Sequence, residues 1–179
     1  MGKRIAVVGV GAVGGYTGAH MVRGGEDVTF IDMWPAHVDE MKKNGLRITH
    51  HEGDEPFAVK VQALHLTEAQ QLSKEAPIDI AFVCTKSYDT HWAALMIRQY
   101  LAPGGYVISL QNCMNEATIA EIVGWGKTMG CIASNISVGL IEPVMSIAAG
   151  SRAVLRTPST APARCTATSP SEPARSAGS

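Results

Sequence analysis

Ile5-Ala6-Val7-Val8-Gly9-Val10-Gly11-Ala12-Val13-Gly14 is the stretch on which the fold turns. Ile5 to Val8 is a short apolar run rich in β-branched residues that passes directly into glycines, which predicts a buried strand ending in a tight turn. From Ala12 to Val22 the apolar spacing is helical, and Gly24-Gly25 stops it. Gly9, Gly11 and Gly14 therefore form a GxGxxG at a strand-to-helix junction. Gly9 permits the turn, Gly11 lets the backbone approach a pyrophosphate with no Cβ in the way, and Gly14 lets helix and strand pack closely. The helix N-terminus then presents unpaired N–H groups and about half a positive charge to the phosphates. The competing reading is a plain tight connection, since glycine supplies 18 of the 179 residues.

Asp32 favours the dinucleotide reading. It lies 18 residues beyond Gly14, at the end of a second predicted strand, Asp27 to Ile31, where a carboxylate can accept hydrogen bonds from an adenosine ribose. A carboxylate there repels a 2′-phosphate, and Met33 beside it carries no positive charge. NAD(H) is thus favoured over NADP(H), with Arg23 and the Lys42-Lys43 pair as the cations that could still reach in. The alternative role for Asp32 is to cap the helix that opens near Pro35.

Working outward, Pro35 to Lys43 reads as a helix closed by Asn44-Gly45. Leu46 to Thr49 and Phe57 to Leu64 read as strands around the acidic loop His50 to Pro56. Ile78 to Cys84 is apolar apart from Asp79, the pattern of a strand buried on both faces. Thr90 to Leu101 has helical spacing, Pro103-Gly104-Gly105 breaks it, and Tyr106 to Leu110 returns to strand. Ala117 to Val123 reads as a helix and Thr128 to Ala133 as a strand. This alternation predicts an α/β fold, a doubly wound and mostly parallel sheet with helices on both faces.

Composition narrows the function classes. The chain is 46% apolar and 17% charged with a formal net charge of -1, so it has no field to gather nucleic acid or anionic lipid. No apolar stretch reaches the ~18 residues of a membrane span, and the first residues show no cleavable leader. Cys84, Cys113, Cys131 and Cys165 lie too far apart for a CxxC pair, which argues against a zinc knuckle or disulfide scaffold and for reduced thiols in the cytoplasm. No metal site is expected. His50-His51 beside Glu52, Asp54 and Glu55 reads as a solvated turn, and His91 as an exposed residue at a helix start.

The chain changes character near Gly150. Of the 29 residues from Ser151 to Ser179, 24 are Ala, Ser, Thr, Pro or Arg, too little apolar surface to offset about 1–2 kcal/mol of backbone entropy per ordered residue. The expected division is a dinucleotide-binding domain over 1–150 and a disordered tail over 151–179. That tail holds four of the 15 basic and one of the 16 acidic residues, which leaves the domain mildly acidic, with 11 and 15. It reads either as a linker or interaction arm or as translation in a shifted frame.

Two polar clusters follow predicted strands, Cys84-Thr85-Lys86-Ser87-Tyr88-Asp89-Thr90 and Leu110-Gln111-Asn112-Cys113-Met114-Asn115. In doubly wound sheets ligands lie outside the strand C-termini, so Lys86 and Asn112 can point toward a nicotinamide or a substrate. Their alternatives are a solvated loop charge and a turn residue. Together with Gly9-Val10-Gly11-Ala12-Val13-Gly14-Gly15, these clusters resemble the N-terminal domain of the ketopantoate reductases, also called 2-dehydropantoate 2-reductases, over residues 3 to 150.

The resemblance implies a Rossmann-type domain and an oxidoreductase that moves a hydride from NAD(P)H to the ketone of a 2-oxo acid such as 2-dehydropantoate, a step toward pantothenate. It assigns cofactor contacts to Gly9, Val10, Gly11, Ala12, Val13 and Gly14, with Lys86 and Asn112 at the junction of cofactor and substrate and Ile136 as a backbone contact near the nicotinamide. Three departures stand out. The family motif carries glycine where this chain has Cys113, and many members carry a basic residue after the position of Asp32. The family's helical second domain, which supplies the catalytic lysine and general-acid glutamate, is not expected in this chain. Catalytic residues are therefore unassigned, and turnover of 2-oxo acids by the chain alone is expected to be poor. Exposed apolar surface in that domain's place predicts self-association, with a homo-oligomer as one form of it, or poor solubility. The competing functions are a non-catalytic dinucleotide-binding or interaction module and a reductase of another 2-oxo acid.

Overall fold

A computed structural model describes residues 2–50, 55–134, 137–142, 145–149 and 154–156. The chain begins β1 (Arg4–Val8), α1 (Ala12–Arg23), β2 (Asp27–Asp32), α2 (Pro35–Asn44), β3 (Leu46–His50), β4 (Phe57–Val59) and β5 (Gln62–His65). After a 3-10 segment at Leu66–Lys74 come β6 (Ile78–Val83), α3 (Thr90–Arg98), β7 (Leu101–Ser109) and α4 (Glu116–Val123). After a 3-10 turn at Trp125–Lys127 come the strands β8 (Thr128–Gly130), β9 (Ile132–Ser134), β10 (Ser137–Glu142), β11 (Met145–Ala149) and β12 (Val154–Arg156).

Six strands form one sheet in the order β5-β2-β1-β6-β7-β8, and every pairing in it is parallel. The order runs outward from β1 in one direction and then, from β6, in the other. Such a reversal opens a crevice at the strand C-termini, the place where doubly wound sheets bind ligands. The central strands bury both faces, as their apolar runs require. In β1, Ile5 and Val7 join a core cluster with Ala19 of α1 and with Val38 and Met41 of α2. Ala6 and Val8 face the opposite cluster, with Ala93, Ala94 and Ile97 of α3 and Ile119 of α4. Helices cover both faces, as the alternating pattern predicts. Phe30 and Ile31 are almost wholly buried on opposite sides of β2, each contributing about 1.5–3 kcal/mol of apolar burial.

Four expectations change. Phe57 to Leu64 is two strands in two sheets: β4 pairs antiparallel with β3, while β5 pairs parallel with β2. The chain leaves one sheet at Lys60-Val61: Phe57 and Val59 pack beside one core cluster, whereas β5 is buried on both sides, with Ala63 in that cluster and Leu64 in the other. Thr128 to Ala133 likewise divides at Cys131, whose N–H donates to the Ser109 carbonyl (2.9 Å). The helix from Thr90 ends at Arg98, and Leu101 already belongs to β7, which carries Pro103-Gly104-Gly105 through a register shift opposite Ile78 and Ile80. Finally, β3 and β4 belong with β10 and β11 to a second sheet, ordered β10-β11-β3-β4. All four of its strands contact α1.

Past Gly150, Val154–Arg156 pairs antiparallel with β9, so a short strand stands within the segment whose composition predicts disorder. Val154 and Leu155 are its large aliphatic residues. Residues 51–54, read from the sequence as a solvated turn, and the stretch 157–179 lie outside the described residues. Among the described residues no helix is long and apolar enough to cross a membrane.

Candidate dinucleotide-binding cleft

The turn after β1 behaves as its glycines require. Gly9 has φ +91°, a conformation that side chains rarely adopt, and a Cβ on it would meet the Thr85 amide nitrogen at 2.8 Å. A Cβ on Gly14 would stand 2.2 Å from the Gly9 carbonyl oxygen and 2.9 Å from Cys84 Cβ, so α1 crosses the end of β6 with no room for a methyl group. On Gly11 a Cβ would meet nothing within 4 Å. Gly11 is exposed and opens onto a cleft of about 1060 Å³ at the sheet's C-terminal edge. Gly9, Ala12, Val13, Asp32, Lys86 and Asn112 line the same cleft. Two of the expected contact residues stand behind it. Val10 is fully buried and Gly14 serves the helix crossing. Ile136 lies outside the described residues, although Ile132, Ala133 and Val138 reach the cleft wall.

The turn is tied to its neighbours at every peptide. The Gly9 N–H donates to the Ile31 carbonyl (2.9 Å). The Val10 N–H donates to Asp32 Oδ2 (2.6 Å), and the buried His37 ring bonds the Val10 carbonyl through Nε2 (2.9 Å). Asp32 Oδ1 accepts from the Trp34 N–H (2.9 Å); Trp34 is the N-cap of α2 and no side chain caps that helix, so Asp32 braces the turn into α2 instead of capping it. The ribose role remains compatible with it, because a carboxylate offers about four lone-pair sites and two are used. His37 and the Val10 tether went unnoticed in the sequence. His37 is a single histidine on an apolar helix face, and its partner is 27 residues away.

Two of the three cations that could reach Asp32, Arg23 and Lys42, are engaged elsewhere, and Lys43 is exposed. Arg23 lies over the Phe57 ring, 4.5 Å from its centroid. Lys42 pairs with Glu68 (2.6 Å), and that ammonium, with the His65 N–H, holds the Glu68 carboxyl below the usual carboxylate range.

At the other end of the cleft the two polar strand ends are knit together. Gln111 Nε2 donates to the Thr85 carbonyl (2.8 Å) and to Thr90 Oγ1 (2.9 Å). Asn115 Nδ2 donates to the Asn112 carbonyl (2.8 Å) and to Ser87 Oγ (3.2 Å), and Ser87 Oγ–H donates to the same Asn112 carbonyl (3.1 Å). Gln111 and Asn115 thus hold the loop from beneath, leaving Asn112 and Lys86 exposed at the cleft. His91 is exposed. Dense packing pushes the Cys84 thiol up to about 12, with nearby Cys131 adding a smaller push, so Cys84 is neutral and unsuited to nucleophilic chemistry. Cys84, Cys113 and Cys131 form no disulfide. Among the described residues no His, Cys, Asp and Glu cluster could hold a metal ion.

Cys113 has φ +69°, the one non-glycine residue in the left-handed region among those described. It occupies the position where the resembled motif carries glycine, and the backbone explains that preference. The conformation costs a side-chain-bearing residue about 1–2 kcal/mol, partly offset by the greater unfolded-state freedom of glycine. Cys113→Gly is therefore expected to stabilise the chain by about 0.5–1 kcal/mol, read as a higher urea midpoint at unchanged slope.

Comparison with known proteins bears directly on this cleft. A 2-dehydropantoate 2-reductase of Pyrococcus abyssi is 35% identical over 133 residues, covering 74% of this chain and 40% of that protein. The structure of 2-dehydropantoate 2-reductase from Geobacter metallireducens superposes with a TM-score of 0.72 at 28% identity, over 86% of this chain and 49% of that one. A ternary structure of D-mandelate dehydrogenase with NADH and anilino(oxo)acetate gives a TM-score of 0.71 at 25% identity, over 83% of this chain and 46% of that one. The chain spans about 40% of the length of the curated relatives it matches. The family described as ketopantoate reductase PanE/ApbA matches residues 5–155. Since that match takes in the glycine turn and both polar strand ends, the chain belongs to the ketopantoate reductase PanE/ApbA family.

Proposed function

We propose that this chain binds a nicotinamide dinucleotide, NAD(H) in preference to NADP(H), as the cofactor-binding half of a 2-dehydropantoate 2-reductase-like oxidoreductase. The observation that carries the reading is the asymmetry of the glycine turn. Gly9 and Gly14 are glycine because the protein presses on them, whereas Gly11 faces open space at the mouth of the cleft. A glycine with nothing beside it in the protein makes sense when something outside the protein comes close.

In this reading the amides from Gly11 to Val13 hold the diphosphate, since helix geometry leaves the first-turn N–H groups without intrahelical acceptors. The spare lone pairs of Asp32 accept the ribose hydroxyls. The negative charge of that carboxylate, with Arg23 and Lys42 committed to Phe57 and Glu68, disfavours a 2′-phosphate. The bound dinucleotide supplies a hydride. Lys86 brings positive charge to the far end of the cleft, which suits an anionic 2-oxo acid. Asn112 offers an amide donor and acceptor there, with Ile136 as the backbone contact implied by family resemblance. The D-mandelate dehydrogenase likeness, solved with NADH and an oxo acid derivative, supports the same class of ligands.

Isothermal titration of the full 179-residue chain tests the reading. Saturable NADH binding, tighter than NADPH binding, is the expected result. No binding of either nucleotide would remove it, and tighter NADPH binding would remove the cofactor preference. Assay of NADH oxidation with 2-dehydropantoate and other 2-oxo acids tests the substrate class.

A further inference from the structure

We infer that His37 is a positioning residue for the diphosphate-binding turn: by holding the Val10 carbonyl it aims the Gly11 N–H into the cleft. The inference rests on the dinucleotide reading above and goes one step beyond it. His37 sits on α2, outside the glycine motif, and is only 1% exposed. A carbonyl oxygen can only accept, so the 2.9 Å contact makes His37 Nε2 the protonated nitrogen and the donor. The ring is itself held from moving, stacked on Trp34 with centroids 5.5 Å apart and planes 22° from parallel.

The Val10 carbonyl and the Gly11 N–H belong to one peptide unit. That unit is planar and trans, so its C=O and N–H point in opposite directions. With the carbonyl drawn inward to a buried ring, the Gly11 N–H is turned outward, toward the side on which Gly11 lines the cleft. The preceding peptide is fixed by the Val10 N–H on Asp32 Oδ2 (2.6 Å). Such a tether has a purpose in this particular turn. The glycines that make room for a phosphate also leave the Val10–Gly11 peptide with little steric resistance to flipping. A flipped peptide would present a carbonyl oxygen to the phosphates in place of a donor. His37 removes that alternative before the ligand arrives, and a donor held in place beforehand costs less to use on binding.

The test is titration of the full chain with NADH and with ADP, for the wild type, His37→Phe and His37→Gln, well below each variant's thermal midpoint. Phenylalanine keeps a ring but has no donor. The glutamine amide can place an N–H near the position of Nε2. His37→Phe is expected to weaken both ligands about tenfold, and His37→Gln to recover most of that loss. Should His37→Phe fail to fold, His37→Asn replaces it, because its shorter amide falls short of the Val10 carbonyl and is expected to lose affinity where Gln keeps it. A purely structural histidine would lower the thermal midpoint while leaving the affinities of the folded variants within twofold of wild type, and that result would overturn the inference alone. Failure of the wild type to bind either NADH or ADP would instead remove the dinucleotide reading, and the inference with it.

Discussion

Gly14→Ala is expected to cost the domain about 3 kcal/mol or more, while Gly11→Ala leaves it folded and abolishes NADH binding. The two substitutions add the same methyl group three residues apart in one motif. At Gly14 the new carbon meets the backbone oxygen of Gly9 at 2.2 Å and Cys84 Cβ at 2.9 Å, and neither can swing aside as a flexible side-chain tip would. Overpacking of well-packed sites typically costs about 1–3 kcal/mol, and a clash against main chain falls at or beyond the upper end. At Gly11 the methyl enters empty space. Its backbone, φ -69° and ψ -168°, is open to alanine, so the stability change should stay within about 1 kcal/mol, mainly from the poorer helix cap. The cost appears when a diphosphate must approach the space that the methyl now fills. Urea unfolding and NADH titration of both variants separate these effects. A Gly11→Ala chain that binds NADH as the wild type does would show that phosphate does not lie against Gly11.

Asp32→Asn is expected to raise the NADH dissociation constant about 10- to 100-fold and to erase most of the discrimination against NADPH. The carboxylate already accepts from Val10 and Trp34, and the proposal adds the ribose hydroxyls. An amide leaves one oxygen for these donors, and its NH2 group opposes whichever donor it faces. Because Val10 is fully buried and Trp34 partly exposed, the remaining oxygen should stay with Val10 while the Trp34 N–H turns to water. Stability should then fall by about 1–2 kcal/mol. Ligand affinity should fall further, because each charge-assisted bond to a ribose hydroxyl contributes about 1.5–3 kcal/mol, or 10- to 100-fold. The NADPH to NADH ratio separates the two roles of Asp32. If it served only to brace the turn into α2, Asp32→Asn would lower the thermal midpoint and leave that ratio unchanged.

What could be read from the sequence follows the range of the interactions. The glycine turn was legible because its first demands are local: a positive φ at Gly9, the approach of Gly14 to the Gly9 carbonyl and an open face at Gly11 concern one strand–turn–helix unit. The pressure from Cys84 and Thr85 at the end of β6 shows only in the fold. The central strands were legible because burial on both faces writes a nearly continuous apolar run, interrupted in Ile78 to Val83 only by Asp79. Lys86 and Asn112 came from the ends of such strands together with family resemblance. The second sheet was not legible. It pairs Arg47 with Met145, and no local pattern announces a partner nearly a hundred residues distant. For the same reason Phe57 to Leu64 reads as one strand, since nothing in its alternation reveals that its halves serve different sheets. His37 illustrates the limit most plainly. Its chemistry is invisible until α2 is packed against the turn, when an ordinary helical histidine becomes the partner of the Val10 carbonyl.

The contact of α1 with two sheets has a mechanical consequence. A helix lying on a single layer can rock about its contacts, and its tip would wander most. Here α1 contacts β1 and β2 of the six-stranded sheet and also β3, β4, β10 and β11 of the second, so both layers hold it. With two layers holding the helix, the glycine turn at its start is a seat whose shape is set by the fold before any ligand arrives.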